Sequence, residues 1–373
     1  MKKTLLGTTA LVTAGLLAGP ALASDPLKVT VGGNVVTGFY VTDADNVGST
    51  SYQDTKVALV ARNIDIKAEG TLDNGLVAGV DAKLQLGNDW LSYINYTSAA
   101  TFRQLFAYLE GGFGKFEIGG TDGAAYKMHY TSPWFVPGNG VDSPNIYNAA
   151  LSPVSVTTFS LMATDSNKVS YFTPRLAGFQ LGLSYTPDAA THWPRPNGYG
   201  ISPKYTGSSP FIRDVFEAAL NYAGTLGGVD VGVDGFYTTG KSSIDSTDPE
   251  EYGFGANLGY MGFTLGGAYK EAKDIQGSPI GMLAVTDAKQ KTWTAGLSYG
   301  TGPWTVGVVY LHGKEDNYTI VGSNKDNYSW QVGGGYNLGS GVDVGLDLQL
   351  NKIDTGTTSY DAKSGGLVLA VAF

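Results

Sequence analysis

Trp304-Thr305-Val306-Gly307-Val308-Val309-Tyr310 is the stretch on which the fold turns. Side chains of an extended chain alternate with a period of two, so Trp304, Val306, Val308 and Tyr310 share one face. That face is apolar and ends in an aromatic ring at both limits. An aromatic residue six positions ahead of a tyrosine recurs from Phe179 to Tyr185, Phe216 to Tyr222, Phe263 to Tyr269, Trp293 to Tyr299 and Trp330 to Tyr336. The opposite faces of these segments carry Gly, Ser, Thr and Asn. Amphipathic rings suit the boundary between hydrocarbon and water. Strands that are apolar outside, polar inside and ringed by aromatics are what a closed membrane β-barrel requires.

The alternation extends beyond these copies. In Val342 to Leu350 the Val and Leu residues share a face, while Asp343, Asp347 and Gln349 share the other. Leu76 to Leu86 repeats the pattern, with Asp81, Lys83 and Gln85 opposite the apolar set. A soluble β-sandwich would turn the apolar set to a core, and a membrane barrel turns it to lipid. Rings at both strand ends, in a long chain without a domain boundary, favour the barrel.

Sixteen strands are predicted, the third at 75–88, the fourth at 101–110, the fifth at 114–120, the twelfth at 290–300 and the last at 363–373. Short turns such as Asp73-Asn74-Gly75 and Gly111-Gly112 alternate with longer polar loops near 43–55, 89–100, 121–166, 188–211, 242–249, 274–289, 315–325 and 354–362. An even strand count with long loops at one end is an outer-membrane layout. At the start, Lys2 and Lys3, an apolar stretch and Ala21-Leu22-Ala23 read as a cleaved leader over 1–23. The mature domain then spans 24–373.

Fifty-three glycines and 23 tyrosines fit a barrel with tight turns and girdles. The absence of Cys excludes a disulfide framework and cysteine-ligated metals. A net charge of −9, more negative by two once Lys2 and Lys3 leave, argues against nucleic acid as a partner. Gly296-Leu297-Ser298-Tyr299-Gly300 matches a hydrolase nucleophile motif. That motif needs a strand-to-helix turn, and here it lies inside an alternating strand. His129, His192 and His312 fall in loops or at strand ends, where solvated side chains are the ordinary expectation.

Phe106 to Ala125 and Asn167 to Asp188 resemble the general porins of Gram-negative bacteria, particularly the alphaproteobacterial type. Thr71 to Gly75 and the terminal Phe373 fit the same family. The resemblance implies a 16-stranded antiparallel transmembrane barrel in the outer membrane, assembled as a homotrimer amid lipid bilayer and lipopolysaccharide. It also implies a water-filled pore for ions and small hydrophilic solutes, without enzymatic activity or cofactor. The strand ending in Phe373 is then the signal read by the barrel-assembly machinery.

The third long loop, 121–166, would fold inward and narrow the channel. Carried over from the family, its acids at the constriction are Asp122, Asp142 and Asp165, and the facing bases are Arg62, Arg103 and Lys168. The parity of the strands conflicts with two of these. Arg62 shares a face with Ile64 and Ile66, and Arg103 with Leu105, so Lys67 and Lys83 stand as alternatives. Asp81, Asp343 and Asp347 are expected to line the lumen. Five arginines against 33 acids point to a weak preference for cations. Clustered acids such as Asp248, Glu250 and Glu251 would attract divalent cations, although no EF-hand spacing supports a defined site. A substrate-specific channel is the alternative, with Tyr126, Tyr130, Trp134, His192 and Trp193 as platforms for a sugar.

Overall fold

The computed structural model describes residues 27–45, 54–85, 101–142, 156–189, 212–242, 248–278, 281–318 and 323–373. The leader assigned to 1–23, His192 and Trp193 lie outside them. Sixteen strands run in chain order: β1 (Lys28–Ala44), β2 (Thr55–Thr71), β3 (Val77–Gln85), β4 (Thr101–Gly111), β5 (Gly114–Gly120), β6 (Asn167–Phe172), β7 (Phe179–Asp188) and β8 (Ile212–Leu226). They continue as β9 (Val229–Ser242), β10 (Glu250–Tyr260), β11 (Phe263–Ser278), β12 (Gly281–Thr301), β13 (Trp304–Tyr318), β14 (Ser323–Gly339), β15 (Val342–Asp354) and β16 (Ser359–Ala372). Each pairs antiparallel with its sequence neighbours, and β1 pairs with β16 to close the barrel. At the seam Phe373 and Gly33 exchange both backbone hydrogen bonds, at 2.9 and 3.0 Å. Closure leaves no unpaired strand edge, the condition that hydrocarbon imposes on a sheet.

The aromatic repeat explains itself in the register. Trp304 stands opposite Tyr336, Phe263 opposite Tyr299 and Phe179 opposite Tyr222 toward the short-turn end. Tyr310 stands opposite Trp330 and Tyr185 opposite Phe216 toward the long-loop end. The paired rings lie 4.5–4.9 Å apart between centroids. The two ends of each repeat therefore form two belts, and the residues between them, such as Leu265, Val306 and Leu346, are exposed and apolar.

The sheet departs from the sequence-based expectation at 274–289. That stretch is mostly strand, because β11 and β12 continue as a hairpin with Ile275 paired to Ala284. Asp274 and Asp287 mark the transition with φ of 55° and 61°, and the Asp287 amide donates to Asp274 Oδ1 at 2.7 Å. Met282 to Val285 is an unbroken apolar run, so the extension shows no period-two alternation.

Candidate functional site

Between β5 and β6 the chain leaves the sheet at Thr121 and returns at Ser166. Its first leg opens with a four-residue helix, α1 (Ala124–Lys127). The Ala124 amide donates to Ser184 Oγ of β7 at 2.9 Å, and the Ala125 amide to Glu217 Oε2 of β8 at 3.0 Å. The leg then passes along the wall strand by strand. The Tyr130 amide donates to Asp234 of β9 at 2.7 Å, and Thr294 of β12 bonds Ser132 at 3.0 Å. Phe135 packs on Gly307 of β13, Val136 on Gly333 of β14 and Pro137 on Gly345 of β15. Asn139 ends the leg by donating to Asp347 Oδ2 of β15 at 2.6 Å. All these wall residues lie on the face opposite the exposed apolar set.

The dimensions agree with this course. Nine strands about 4.8 Å apart span about 38 Å, and fifteen extended residues reach about 50 Å. Glycine makes the close approach feasible. A Cβ on Gly307 would overlap the Phe135 ring, and one on Gly345 would stand 2.5 Å from Pro137. The glycines of the polar face thus form a furrow for the loop.

The second leg, from Val156 to Ser166, lies nearer the long-loop end. Lys270 Nζ of β11 donates to the Phe159 carbonyl at 2.8 Å, and Ser160 Oγ donates to Glu251 of β10 at 2.5 Å. The two legs are stapled together by Asp142, one of the acids expected at the constriction. Its carboxylate is fully buried and accepts from Thr157 Oγ1 and the Thr158 amide, each at 2.8 Å, and from Thr131 and Thr158 hydroxyls. Asp142 holds the loop together and presents no charge to open space.

Lys168 of β6 is likewise displaced from its expected role. Its buried ammonium donates to three carbonyls, those of Thr121, Ala163 at 2.6 Å and Ser166 at 3.0 Å. It clamps the neck where both legs leave the wall. His129, expected to be a solvated loop histidine, is buried between Asp234 and Thr158, each 3.0 Å from a ring nitrogen.

Asp122, Asp165 and Arg103 do come together. The parity conflict at Arg103 is resolved by a β-bulge: Lys83 pairs with Gln104 and Leu84 with Phe102, which leaves Arg103 as the extra residue. The bulge turns Arg103 and Gln104 to the same side. Arg103 Nε and Gln104 Nε2 each donate to Asp165 at 2.7 Å, and Gln104 Nε2 also donates to Asp122 at 2.9 Å. Burial first, and then the Asp122 carboxylate, push the nearby Tyr126 phenol well above its ordinary value.

Arg62 does not join this group. It pairs with Val35 on the same face as Ile64 and Ile66, the face of the exposed apolar residues. Lys67 and Lys83 are on the polar face instead, where Lys67 stands opposite Asp81 and Lys83 opposite Asp65. With Gln104 of β4 and Lys127 of the loop they line a recess of about 470 Å³. Lys127 was missed in the sequence, as was Glu117, whose carboxylate binds both Lys127 and Lys115. Asp347 faces the polar side but is spent on Tyr40, Asn139, Gln331 and Gln349. Asp343 sits near a short turn, accepting from Asn337 at 2.7 Å.

Glu251 is buried against Lys270 and Ser160, and Glu250 pairs with Lys273 at 2.7 Å, so these acids answer protein cations. Among the described residues no group of three or more His, Cys, Asp or Glu is gathered to hold a metal ion. Gly296 to Gly300 lies within β12 and makes no strand-to-helix turn.

A closed, sixteen-stranded antiparallel barrel with aromatic belts outside and a charged recess on its other face defines a transmembrane β-barrel of the porin class. The Gram-negative porin family model matches residues 7–356, and the chain belongs to that family. Solved structures share the fold. The anion-selective porin from Comamonas acidovorans is 16% identical, with a TM-score of 0.63 over 93% of this chain and 100% of that one. OmpF of Salmonella typhi, solved in complex with daunomycin, is 13% identical, with a TM-score of 0.62 over 93% and 98%. OmpT of Vibrio cholerae in a trimer form is 13% identical, with a TM-score of 0.59 over 94% and 100%. An uncharacterized protein of Rickettsia prowazekii (strain Madrid E) is 23% identical over 60% of this chain and 65% of its own length. One of Rickettsia bellii is 27% identical over 31% and 30%. The chain thus spans less than two thirds of the length of these curated relatives.

Proposed function

We propose that the protein is a general diffusion porin of the bacterial outer membrane, passing ions and small hydrophilic solutes passively, and acts as a channel rather than an enzyme. In this reading residues 121–166 fold into the lumen and narrow it. The supporting observation is the asymmetry of the polar face. The first leg of the loop is bonded and packed along β7 to β15, whereas the charged recess along β2 to β4 stays open and is bordered by Thr121 and Lys127 of the loop. Solutes then pass between the loop and the β2–β4 wall, touching Asp65, Lys67, Asp81, Lys83 and Lys127. The family's transverse field takes a different form here, because on this wall acids and bases alternate across strands.

Such a balanced wall supports weak selectivity, and the excess of acids in the chain tips it toward cations. Homotrimeric assembly is part of the same proposal, supported by the family and by belts that are fullest on the later strands. The test is planar-bilayer recording of purified protein in a KCl gradient. The expected result is large steps in threes, linear in solute, with a reversal potential on the potassium side. A chloride-side potential would overturn the cation preference, single steps would count against the trimer, and saturable block by sugars would favour a substrate-specific channel.

A further inference from the structure

Beneath the loop, at the short-turn end, a second cavity of about 610 Å³ opens between β4, β5, β7 and β8. Its charged lining is Glu110, Lys115, Glu117, Lys127 and Arg175, joined by Asn221. The charges are incompletely matched. Glu117 alone answers two ammonium groups, Lys115 at 3.0 Å and Lys127. Among the described residues the Arg175 guanidinium donates to neutral acceptors, the Gly178 carbonyl at 2.6 Å and Gln180 Oε1 at 2.9 Å.

Asn221 has the complementary need. It is 7% exposed, and its Nδ2 donates to the Met128 carbonyl at 3.3 Å, which fixes the orientation of the amide. Its Oδ1 receives no hydrogen bond. A buried carbonyl without a donor costs about 1–3 kcal/mol, so a donor brought into the cavity is favoured at this atom.

We propose that this cavity is a binding site for a small zwitterion of the amino-acid class. The carboxylate of the solute meets Arg175 and Lys115, and its ammonium meets Glu110 and the Asn221 Oδ1. A simple anion would leave the amide carbonyl unanswered, and a simple amine would leave the guanidinium without a counter-charge. The volume falls within the range of small-molecule pockets. The proposal rests on the channel reading and adds to it a retention point that solutes meet near the short-turn mouth.

Three solutes of similar size separate the alternatives: L-alanine, propionate and ethylammonium, added at equal concentration to either side of a single channel in KCl. L-alanine should raise open-channel noise and lower the current at a concentration about tenfold below that of the other two, the worth of one added charged contact. Arg175→Gln, on an exposed turn away from the loop, should remove this advantage in channels that still open in KCl, and Asn221→Leu should weaken it about tenfold. Equal effects of all three solutes, no effect of any, or an unaltered alanine response in Arg175→Gln would overturn the proposal. Failure to conduct in KCl at all would sink the channel reading itself.

Discussion

Two sides of the same polar face are built on opposite principles. From β7 to β15 the wall is grooved with glycine, and its charges, among them Glu217, Asp234, Glu251, Lys270 and Asp347, are buried against loop atoms. From β2 to β4 the wall carries Asp65, Lys67, Asp81 and Lys83 in cross-strand opposition, lining an open recess that Thr121 and Lys127 of the loop border. A charge on the first side is spent on holding the loop. A charge on the second is available to a passing ion. Charge and position along a strand are alike on both sides, so the loop decides which kind of work each residue does.

The comparison breaks first at the loop neck. Lys168→Met removes the donor from three buried carbonyls, each worth about 1–3 kcal/mol when left unpaired. The loop should loosen while the barrel, held by strand pairing, survives. Limited trypsin digestion in detergent should then cut after Lys127 in the variant and spare the parent. Equal resistance would mean that the clamp is dispensable.

Gly307→Leu tests the furrow. The added side chain needs the space of the Phe135 ring, and overpacking of this kind costs about 1–3 kcal/mol. Displacing the loop there should raise single-channel conductance and broaden the size range of permeant sugars in a liposome-swelling assay. An unchanged conductance would separate Phe135 docking from channel width.

Much of this was legible in the sequence, and the limit is physical. Period-two alternation and the aromatic spacing are local signals, and they report strands and belts directly. Partners are not local. Lys168 reads as a wall base until the carbonyl of Thr121, 47 residues away, is found beside it. Asp142 reads as a constriction acid until Thr157 and Thr158 close over it. Arg103 appears on the wrong face because one bulged residue shifts parity, and a bulge leaves no composition signature. The glycines were the overlooked signal. Gly307, Gly333 and Gly345 fall on the polar face of adjacent strands, where a furrow needs them.

On the bare wall the effects are smaller and opposite in sign. A unit charge about 8 Å from a passing ion in water is worth about 0.5 kcal/mol, a change of about twofold in relative permeability. Lys83→Gln should shift the reversal potential toward potassium by that factor, and Asp81→Asn should shift it toward chloride. Because both residues are paired across strands, the double variant should return close to the parent value. A shift of the same sign in both single variants would refute a balanced wall.

The smallest expected effect is the most discriminating. Arg62 is an arginine on β2, one residue from Asn63 of the polar face and a short way along the strand from Lys67. By composition it is as good a wall base as any. Its pairing with Val35, in line with Ile64 and Ile66, turns it to the outer side of the barrel. Field lines from a charge there reach the channel only across the wall. Arg62→Gln should therefore leave the reversal potential unchanged within the scatter of the parent, where Lys83→Gln moves it about twofold. Altered assembly with unaltered selectivity would fit an outer position. A selectivity shift equal to that of Lys83→Gln would place Arg62 in the channel, and the division between the two sides of the barrel wall at β2 would have to be redrawn.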